Sequence, residues 1–192
     1  MPKDTAILDA ALDLFETLSY GSTPVPLVAE RAGVGAGTIY RYFPGKEGVV
    51  NALYQRWKQA LAAAVVDGLD RSQPAALIFE GIWRRLCGFA TANPAAFAFL
   101  ETHHHGPYLD AGSRGIATDL DRSMAGLLAE WQRAGSVRAG DPQLLVAQVY
   151  GGLVGVTRAY RDRGTELPPD LADQTIEGAW NLLASPSNRR RS

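Results

Sequence analysis

Two short amphipathic segments joined by a glycine turn constrain the fold more than any other feature of this chain. The first segment runs through Val28 and Ala29 to the turn Gly33-Val34-Gly35, and the second extends from Ala36 to Phe43. This arrangement is typical of a helix-turn-helix, in which a glycine-containing turn joins two short helices. The second segment carries Thr, Tyr, Arg and Tyr side chains, which suit a DNA groove and its phosphates.

Capping residues and prolines mark the helices that precede this motif. Asp4 is a suitable cap for a first helix, which Tyr20-Gly21 would end. Thr23 is predicted to cap the second helix, because Pro24 and Pro26 fit its first turn, where a missing N–H costs little.

The rest of the chain also follows a helical pattern. A fourth helix is predicted from Gly45 to about Asp67, with apolar residues at four-residue steps and Gly68 after its end. No strand-length alternation flanked by hairpin turns occurs, so we expect an all-α protein. The later helices are predicted at about 74–92, 94–104, 113–134, 142–163 and 170–184.

Charge is distributed unevenly along the chain. The formal net charge of the 192 residues is −1, which argues against a protein that coats nucleic acid unspecifically. Between Arg31 and Lys58, however, five basic residues stand against one acidic residue, Glu47. This local positive balance is compatible with DNA binding by part of the chain.

Cysteine use and hydropathy indicate the compartment. The single cysteine, Cys87, excludes disulfide frameworks and paired-cysteine metal or redox sites. The N-terminus shows no secretion signal, and the longest nearly apolar run, residues 144–156, is too short to span a bilayer. We expect a cytoplasmic protein without a cofactor and without a membrane partner.

Residues 7 to about 54 match a known pattern in both residue type and spacing. The matching residues are Ile7-Leu8-Asp9-Ala10-Ala11, Leu14-Phe15, Gly21, Thr23, Val28-Ala29, Ala32-Gly33-Val34, Gly37-Thr38-Ile39-Tyr40, Tyr42-Phe43 and Lys46-Glu47. They resemble the DNA-binding domain of TetR-like bacterial transcriptional regulators. The family often has a capping serine where this chain has Gly35 and Gly45, and glycine at a cap costs only about a few tenths of a kcal/mol relative to serine.

The resemblance implies both an architecture and a function. Residues 1–47 would form a three-helix DNA-binding domain, residues 48–68 a connecting helix, and residues 69–186 a helical domain that dimerises and binds a small ligand. The basic stretch 187–192 is predicted to be a disordered tail. The implied function is a homodimeric, ligand-responsive repressor that a small molecule releases from an inverted-repeat DNA operator, and not an enzyme.

A recognition helix that enters the major groove presents its N-terminal residues to the base edges. Ala36 and Thr38 suit contacts that include a thymine methyl group, and Gly37 lets the backbone approach closely. Arg41 has the reach to bind guanine through two hydrogen bonds, although a surface ion pair is the alternative interpretation of this residue.

The phosphate contacts come from the resemblance. Tyr40 and Lys46 would bind phosphates and Tyr42 the backbone or a base, although both tyrosines also fit the pattern of half-buried aromatics. Ile39 and Phe43 are expected in the core. The predicted DNA-contacting residues are Thr23, Ala36, Gly37, Thr38, Tyr40, Arg41, Tyr42 and Lys46.

The apolar run at 144–156 predicts a helix that is covered on both sides. Its three glycines allow another helix to approach closely, so we expect it to pack, together with the last helix, against a second copy of the chain. A monomer in which other helices cover this run is the alternative. The predicted dimer-interface residues are Gly151, Gly152, Gly155, Ile176, Ala179, Trp180 and Leu183.

A ligand cavity follows from the resemblance alone, because apolar composition does not distinguish a pocket from a core. Such a pocket favours a hydrophobic or aromatic compound with one or two polar groups. The candidate lining residues, some of which we expect to be plain core, are Trp83, Phe97, Leu100, His104, Tyr108, Met124, Leu128, Tyr150 and Val154.

The string Glu101-Thr102-His103-His104-His105 is the one cluster with metal-ligand chemistry. Successive helical residues point about 100° apart, so three adjacent histidines do not face one ion, and no distant third ligand is evident. We therefore predict no metal site. A ligand contact by His103 or His104, a metal-dependent enzyme and a protein-interaction adaptor stay open as alternatives.

Overall fold

A computed structural model describes residues 2–18, 20–102 and 107–186 of the chain. Within these ranges the secondary structure consists of α-helices joined by short connections, with one isolated bridge between Val137 and Ala184 and no strand. The expected all-α class is confirmed. The helices are α1 (Lys3–Leu18), α2 (Val25–Arg31), α3 (Ala36–Tyr42), α4 (Gly45–Val66), α5 (Ala75–Ala92), α6 (Pro94–Thr102), α7 (Ala111–Arg133), α8 (Pro142–Asp162) and α9 (Leu171–Leu183).

The helix boundaries agree with the sequence pattern to within a few residues, but two predicted caps are wrong. Helix α1 begins at Lys3, so Asp4 lies inside its first turn, where the carboxylate accepts a hydrogen bond from the N–H of Thr5. Pro24 occupies the N-cap position of α2 and no side chain caps that helix, so Thr23 does not have the predicted role. The predicted end of the sixth helix at 104 and the tail 187–192 fall outside the described residues.

The chain divides into two compact units, and the first consists of residues 1–60 and 94–116. It contains α1 to α3, most of α4, α6 and the beginning of α7. Its core forms around α1, which packs against α2, α3 and α6. Phe15 of α1 is almost fully buried and stacks on Phe99 of α6, with the ring centroids 6.1 Å apart.

Left-handed glycines shape the connections of the helix-turn-helix. Gly33 has a φ of +67° at the end of α2, and the N–H of Val34 donates to the carbonyl of Ala29. Gly45 has a φ of +75° where α3 gives way to α4. Because L side chains rarely adopt this conformation, the backbone at Gly45 favours glycine over the serine that the family often has there. Gly35 has an ordinary extended backbone as the N-cap of α3.

The second compact unit consists of residues 61–93 and 117–192, of which 61–93 and 117–186 are described. Its core lies where α5 packs against α9. The ring of Phe79 lies 5.7 Å from Trp83 and 5.3 Å from Trp180, measured between centroids. The indole N–H of Trp83 donates to the hydroxyl of Thr175 at 2.9 Å, so this buried donor has its partner within the same unit.

The connection between α7 and α8 is tied to the end of α9. The N–H of Arg138 donates to the carbonyl of Leu183, and its side-chain Nε donates to the carbonyl of Leu182 at 2.7 Å. These bonds satisfy carbonyls that the end of a helix leaves without an intrahelical partner.

The boundaries of the two compact units follow contacts between helices. The predicted domain boundaries at residues 47 and 68 follow function instead, and they stay a prediction.

Candidate DNA-binding surface

Helix α3 presents large polar side chains outward from the first unit. Tyr40 is 62% exposed and Tyr42 is 47% exposed, so neither is a half-buried aromatic. Arg41 is exposed between them, and Ile39 and Phe43 are buried, which confirms the expectation that these two belong to the core. The exposed side chains thus lie on the face of α3 that is turned away from the hydrophobic core.

The N-terminal part of α3 offers a low and accessible surface. Ala36 and Gly37 are exposed and Thr38 is half-buried. A Cβ atom placed on Gly37 would meet no other atom within 4 Å, so the space above this backbone is open. This geometry is compatible with close approach of a groove edge to the start of the helix.

Three of the five cations between residues 31 and 58 are neutralised inside the first unit. Arg31 pairs with Asp13, Arg56 pairs with Asp9 at 2.7 Å, and Lys58 pairs with Glu101 at 3.1 Å. The positive balance that the segment shows in the sequence is therefore smaller in the fold, because these ion-pair partners come from α1 and α6, outside the segment.

Arg41 and Lys46 are the cations of this segment for which the described residues supply no carboxylate. Arg41 extends from α3, and Lys46 lies one residue after the start of α4. The ammonium of Lys46 lies 4.0 Å from the centroid of the Tyr20 ring, within the range of a cation–π interaction. Burial lowers the pKa of Lys46 below its ordinary value, whereas burial, Glu47 and Tyr108 raise the pKa of Tyr20.

Sequence reasoning missed a buried polar side chain beside this surface. Asn51 of α4 is 7% exposed, and its amide donates to the carbonyl of Tyr108 at 2.8 Å. Its oxygen accepts from the N–H of Asp110 at 2.8 Å and from the hydroxyl of Ser113 at 2.7 Å. Hydrogen bonds to Ser113 also hold the pKa of the Asp110 carboxyl below its usual value. No local signal marks Asn51, because these partners lie more than fifty residues away in the sequence.

Thr23 does not belong to the accessible surface. Its side chain is fully buried, and its hydroxyl donates to the carbonyl of Leu14 at 3.4 Å. The hydroxyl is therefore used within the fold, since a buried polar group requires a partner there. Thr23 is therefore not available for the predicted contact with DNA.

The predicted dimer residues separate into two groups. Gly151, Gly152 and Gly155 are exposed on α8, and a Cβ atom on each would meet open space. The four predicted residues of α9 are instead 2–7% exposed in the single chain, because this side of α9 faces α5; they are Ile176, Ala179, Trp180 and Leu183. Their assignment to a dimer surface is wrong. The outward side of α9 carries Gly178 and the 48% exposed Leu182.

The structure does not gather the predicted ligand residues into one compact unit. Phe97, Leu100 and Tyr108 belong to the first unit, and the second contains the remaining described members, Trp83, Met124, Leu128, Tyr150 and Val154. Trp83, Phe97, Leu100 and Leu128 are buried, whereas Tyr108, Met124, Tyr150 and Val154 are half-buried. His104 lies outside the described residues. The assignment of these residues to a pocket stays a prediction.

The described residues give no support to metal or thiol chemistry. Among them no group of three His, Cys, Asp or Glu side chains is placed to hold a metal ion, and His103 to His105 lie outside the described ranges. Glu101 is paired with Lys58. Burial raises the pKa of Cys87 to about 11, which disfavours the reactive thiolate at neutral pH.

No helix within the described ranges has the length and hydropathy needed to cross a membrane.

Comparisons of the sequence with known families cover nearly the whole chain. A profile described as "Bacterial regulatory proteins, tetR family" matches residues 7–53. A second profile, described as "Tetracyclin repressor-like, C-terminal domain", matches residues 54–185.

The chain is also similar to curated regulators along most of its length. The HTH-type transcriptional regulator RutR of Escherichia coli (strain K12) is 29% identical over 191 residues, which cover 94% of this chain and 88% of that protein. The Fatty acid metabolism regulator protein of Bacillus subtilis (strain 168) is 25% identical over 160 residues, which cover 81% of each chain.

Solved structures share the fold. A putative tetR family transcription regulator from Shewanella sp. PV-4 superimposes with a TM-score of 0.81 at 25% identity, covering 96% of this chain and 100% of that one. The fatty acid degradation regulator FadR from Bacillus halodurans gives a TM-score of 0.81 at 20% identity, with 99% and 98% coverage. Helices α1 to α3 thus correspond to an N-terminal helix-turn-helix, and a helical C-terminal region follows them.

Proposed function

This chain belongs to the TetR family of bacterial DNA-binding transcription regulators, and on that premise we propose that it is a homodimeric repressor controlled by a small molecule. Family membership makes it a transcription regulator rather than an enzyme. The observation that carries the proposal is the outward face of α3, where Tyr40, Arg41 and Tyr42 stay exposed while Ile39 and Phe43 anchor the helix.

Each recognition helix enters one major groove of the operator. Thr38 and the backbone at Gly37 approach the base edges, and Arg41 binds guanine O6 and N7, a contact that contributes about 1–3 kcal/mol of discrimination. Tyr40 and Lys46 bind phosphates, which position the helix without reading the sequence. The exposure of Tyr40 and Arg41 and the lack of a carboxylate partner for Arg41 and Lys46 among the described residues support this division of roles.

A second copy of the chain covers the outward faces of α8 and α9. Leu144, at 65% exposure, lies on the same helical stripe as Gly151 and Gly155, and Leu182 of α9 is also exposed. An isologous dimer buries the same patch from both subunits. The symmetry then places the two recognition helices in successive major grooves, about 34–36 Å apart, on an inverted-repeat operator.

The effector is a hydrophobic or aromatic molecule with a few polar groups. An apolar effector class is compatible with the name of the Bacillus subtilis relative, Fatty acid metabolism regulator protein. Binding of the effector shifts the dimer toward a helix separation that fits the operator poorly. A typical coupling of about 1–3 kcal/mol between two sites changes affinity about 5- to 150-fold. The protein acts in the cytoplasm and requires no cofactor for this cycle.

The proposal is tested by selecting bound sequences from random double-stranded DNA with the purified full chain. We expect an inverted repeat. Enrichment of no sequence, or of single half-sites by a monomer, would contradict the proposed mode of binding.

Variants then test the individual contacts on the selected operator. Arg41→Ala relaxes selectivity at one base pair of each half-site, whereas Lys46→Ala weakens binding to all sequences and lowers the salt slope by about one per protomer. Arg122→Ala is the matched control, since Arg122 is an exposed cation on α7 that pairs with Asp119. Equal effects of Lys46→Ala and Arg122→Ala would remove Lys46 from the interface.

A further inference from the structure

In the first unit the ring of Tyr20 contacts two other aromatic rings and a proposed phosphate-binding cation. The ring of Tyr20 lies 5.8 Å from Phe15 and 4.2 Å from Tyr108, measured between centroids. The ammonium of Lys46 lies 4.0 Å from the centroid of the same Tyr20 ring. Tyr20 therefore contacts the core on one side, and it also meets Tyr108 and the lysine.

The position of Tyr108 is set by α4 itself. Asn51 donates to the carbonyl of Tyr108 and accepts from the N–H of Asp110, so one buried amide holds both ends of this short stretch. Ser113 donates to the same Asn51 oxygen, and Gln55 donates to Ser113 at 3.1 Å. Residues 108–113 are thus attached by hydrogen bonds to the helix whose first turn carries Lys46.

A lysine side chain is flexible, and ordering it for a phosphate contact costs conformational entropy. An aromatic ring next to the ammonium lowers that cost, because the ring face attracts the cation and restricts its position. The N–H groups of the ammonium that point away from the ring stay available as donors. The half-buried position of Lys46 and the neutral phenol of Tyr20 are consistent with such an interaction between the ring and the ammonium. The sequence does not predict this contact, since Tyr20, Lys46 and Tyr108 lie on three separate segments.

We propose that Tyr20 and Tyr108 are positioning residues for DNA binding: the ring of Tyr20 holds the ammonium of Lys46 at the start of α4, where it meets the phosphate backbone, and Tyr108 holds the ring of Tyr20. The inference rests on the proposed function, in which Lys46 is a phosphate contact. It adds that the stretch 108–113, which leads into α7, acts on operator affinity through an aromatic pair rather than through a contact of its own with DNA.

A double-mutant cycle on the selected operator tests this inference. Tyr20→Leu removes the ring, and Tyr20→Phe retains it as the matched control. We expect Tyr20→Leu to weaken operator binding about two- to five-fold per protomer, the range of an exposed cation–π interaction, and Tyr20→Phe to bind like the parent. In the Lys46→Ala background, Tyr20→Leu should cause no further loss.

The variants Tyr108→Leu and Tyr108→Phe repeat the double-mutant cycle for the other tyrosine of the Tyr20–Tyr108 pair. Tyr108→Leu should also weaken binding only when Lys46 is present. Thermal unfolding of each variant reports packing separately, and a merely structural role would reduce DNA binding equally in both backgrounds.

The outcomes separate this inference from the proposed function. Equal losses of operator affinity with and without Lys46 would overturn the positioning role. Tighter binding after Tyr20→Leu would also overturn it, because the ring would then hold the lysine away from the phosphate. If Lys46→Ala has no effect while Arg41→Ala does, the inference fails and the DNA-reading function of α3 stands. If the parent selects no DNA sequence, the proposed function itself fails.

Discussion

The ion pair between Lys58 and Glu101 allows a sharp test of how the first unit is held together. The two side chains are 9% and 13% exposed, and their charged atoms are 3.1 Å apart between α4 and α6. Removing one member of a buried pair typically costs about 3–5 kcal/mol, because the other charge stays buried without compensation. Since both groups keep some solvent contact, we expect the lower end, about 3 kcal/mol, for Lys58→Met. Total stabilities of about 5–15 kcal/mol make this loss large.

Replacing both charges should restore most of that stability. The double variant Lys58→Met, Glu101→Leu leaves no isolated charge and adds apolar packing, so its free energy of unfolding should lie within about 1 kcal/mol of the parent. Urea unfolding followed by tryptophan fluorescence and circular dichroism measures all variants under one condition. Arg122→Ala, which breaks an exposed pair with Asp119, is the control and should cost less than about 1 kcal/mol.

Two results would refute this reasoning. If Lys58→Met costs no more than Arg122→Ala, the buried pair behaves as a surface pair and the low exposure of its atoms has no energetic consequence. If the double variant costs the sum of the two single variants, the two charges act independently rather than as a compensating pair.

Three further predictions follow from particular positions. Gly45→Ala should destabilise the protein by about 1–2 kcal/mol because φ is +75°, whereas Gly35→Ser should gain about a few tenths of a kcal/mol as an N-cap; urea midpoints that do not differ would contradict this. Leu182→Asp should convert the proposed dimer to a monomer in sedimentation experiments, and Leu77→Asp, at similar exposure on α5, should not. Burial raises the pKa of Cys87 to about 11, so the stability that its neutral thiol provides should be complete below about pH 9 and decline from pH 9 to 11. Thermal scans of Cys87→Ser should lack this decline. Identical pH profiles for the parent and the variant would contradict this prediction.

Much of the fold was predictable because its signals are local. Apolar spacing and Gly or Pro punctuation predicted α5, α8 and α9 to within two residues, since helix periodicity and caps depend on neighbours in the chain. The recognition helix was predictable for the same reason. Its outward tyrosines are exposed and Ile39 is buried, as the alternation of polar and apolar residues on a short helix requires.

The predictions that failed depend on partners distant in sequence. Thr23 has the composition of a helix cap, but the fold buries it against the carbonyl of Leu14. Trp180 looks like an interface residue on an amphipathic helix, yet α5 already covers it within the same chain. A hydrophobic stripe predicts that a face is covered and does not say by which surface.

The amino-acid sequence by itself determined the helical class, the helix-turn-helix and the family, because the signals for these are residue types at short spacings along the chain. The tertiary structure decided which charges and faces stay available. It pairs Arg31, Arg56 and Lys58 with acids of other helices and places Lys46 over the ring of Tyr20. Availability depends on what packs nearby, and the packing partners come from segments that no local pattern brings together.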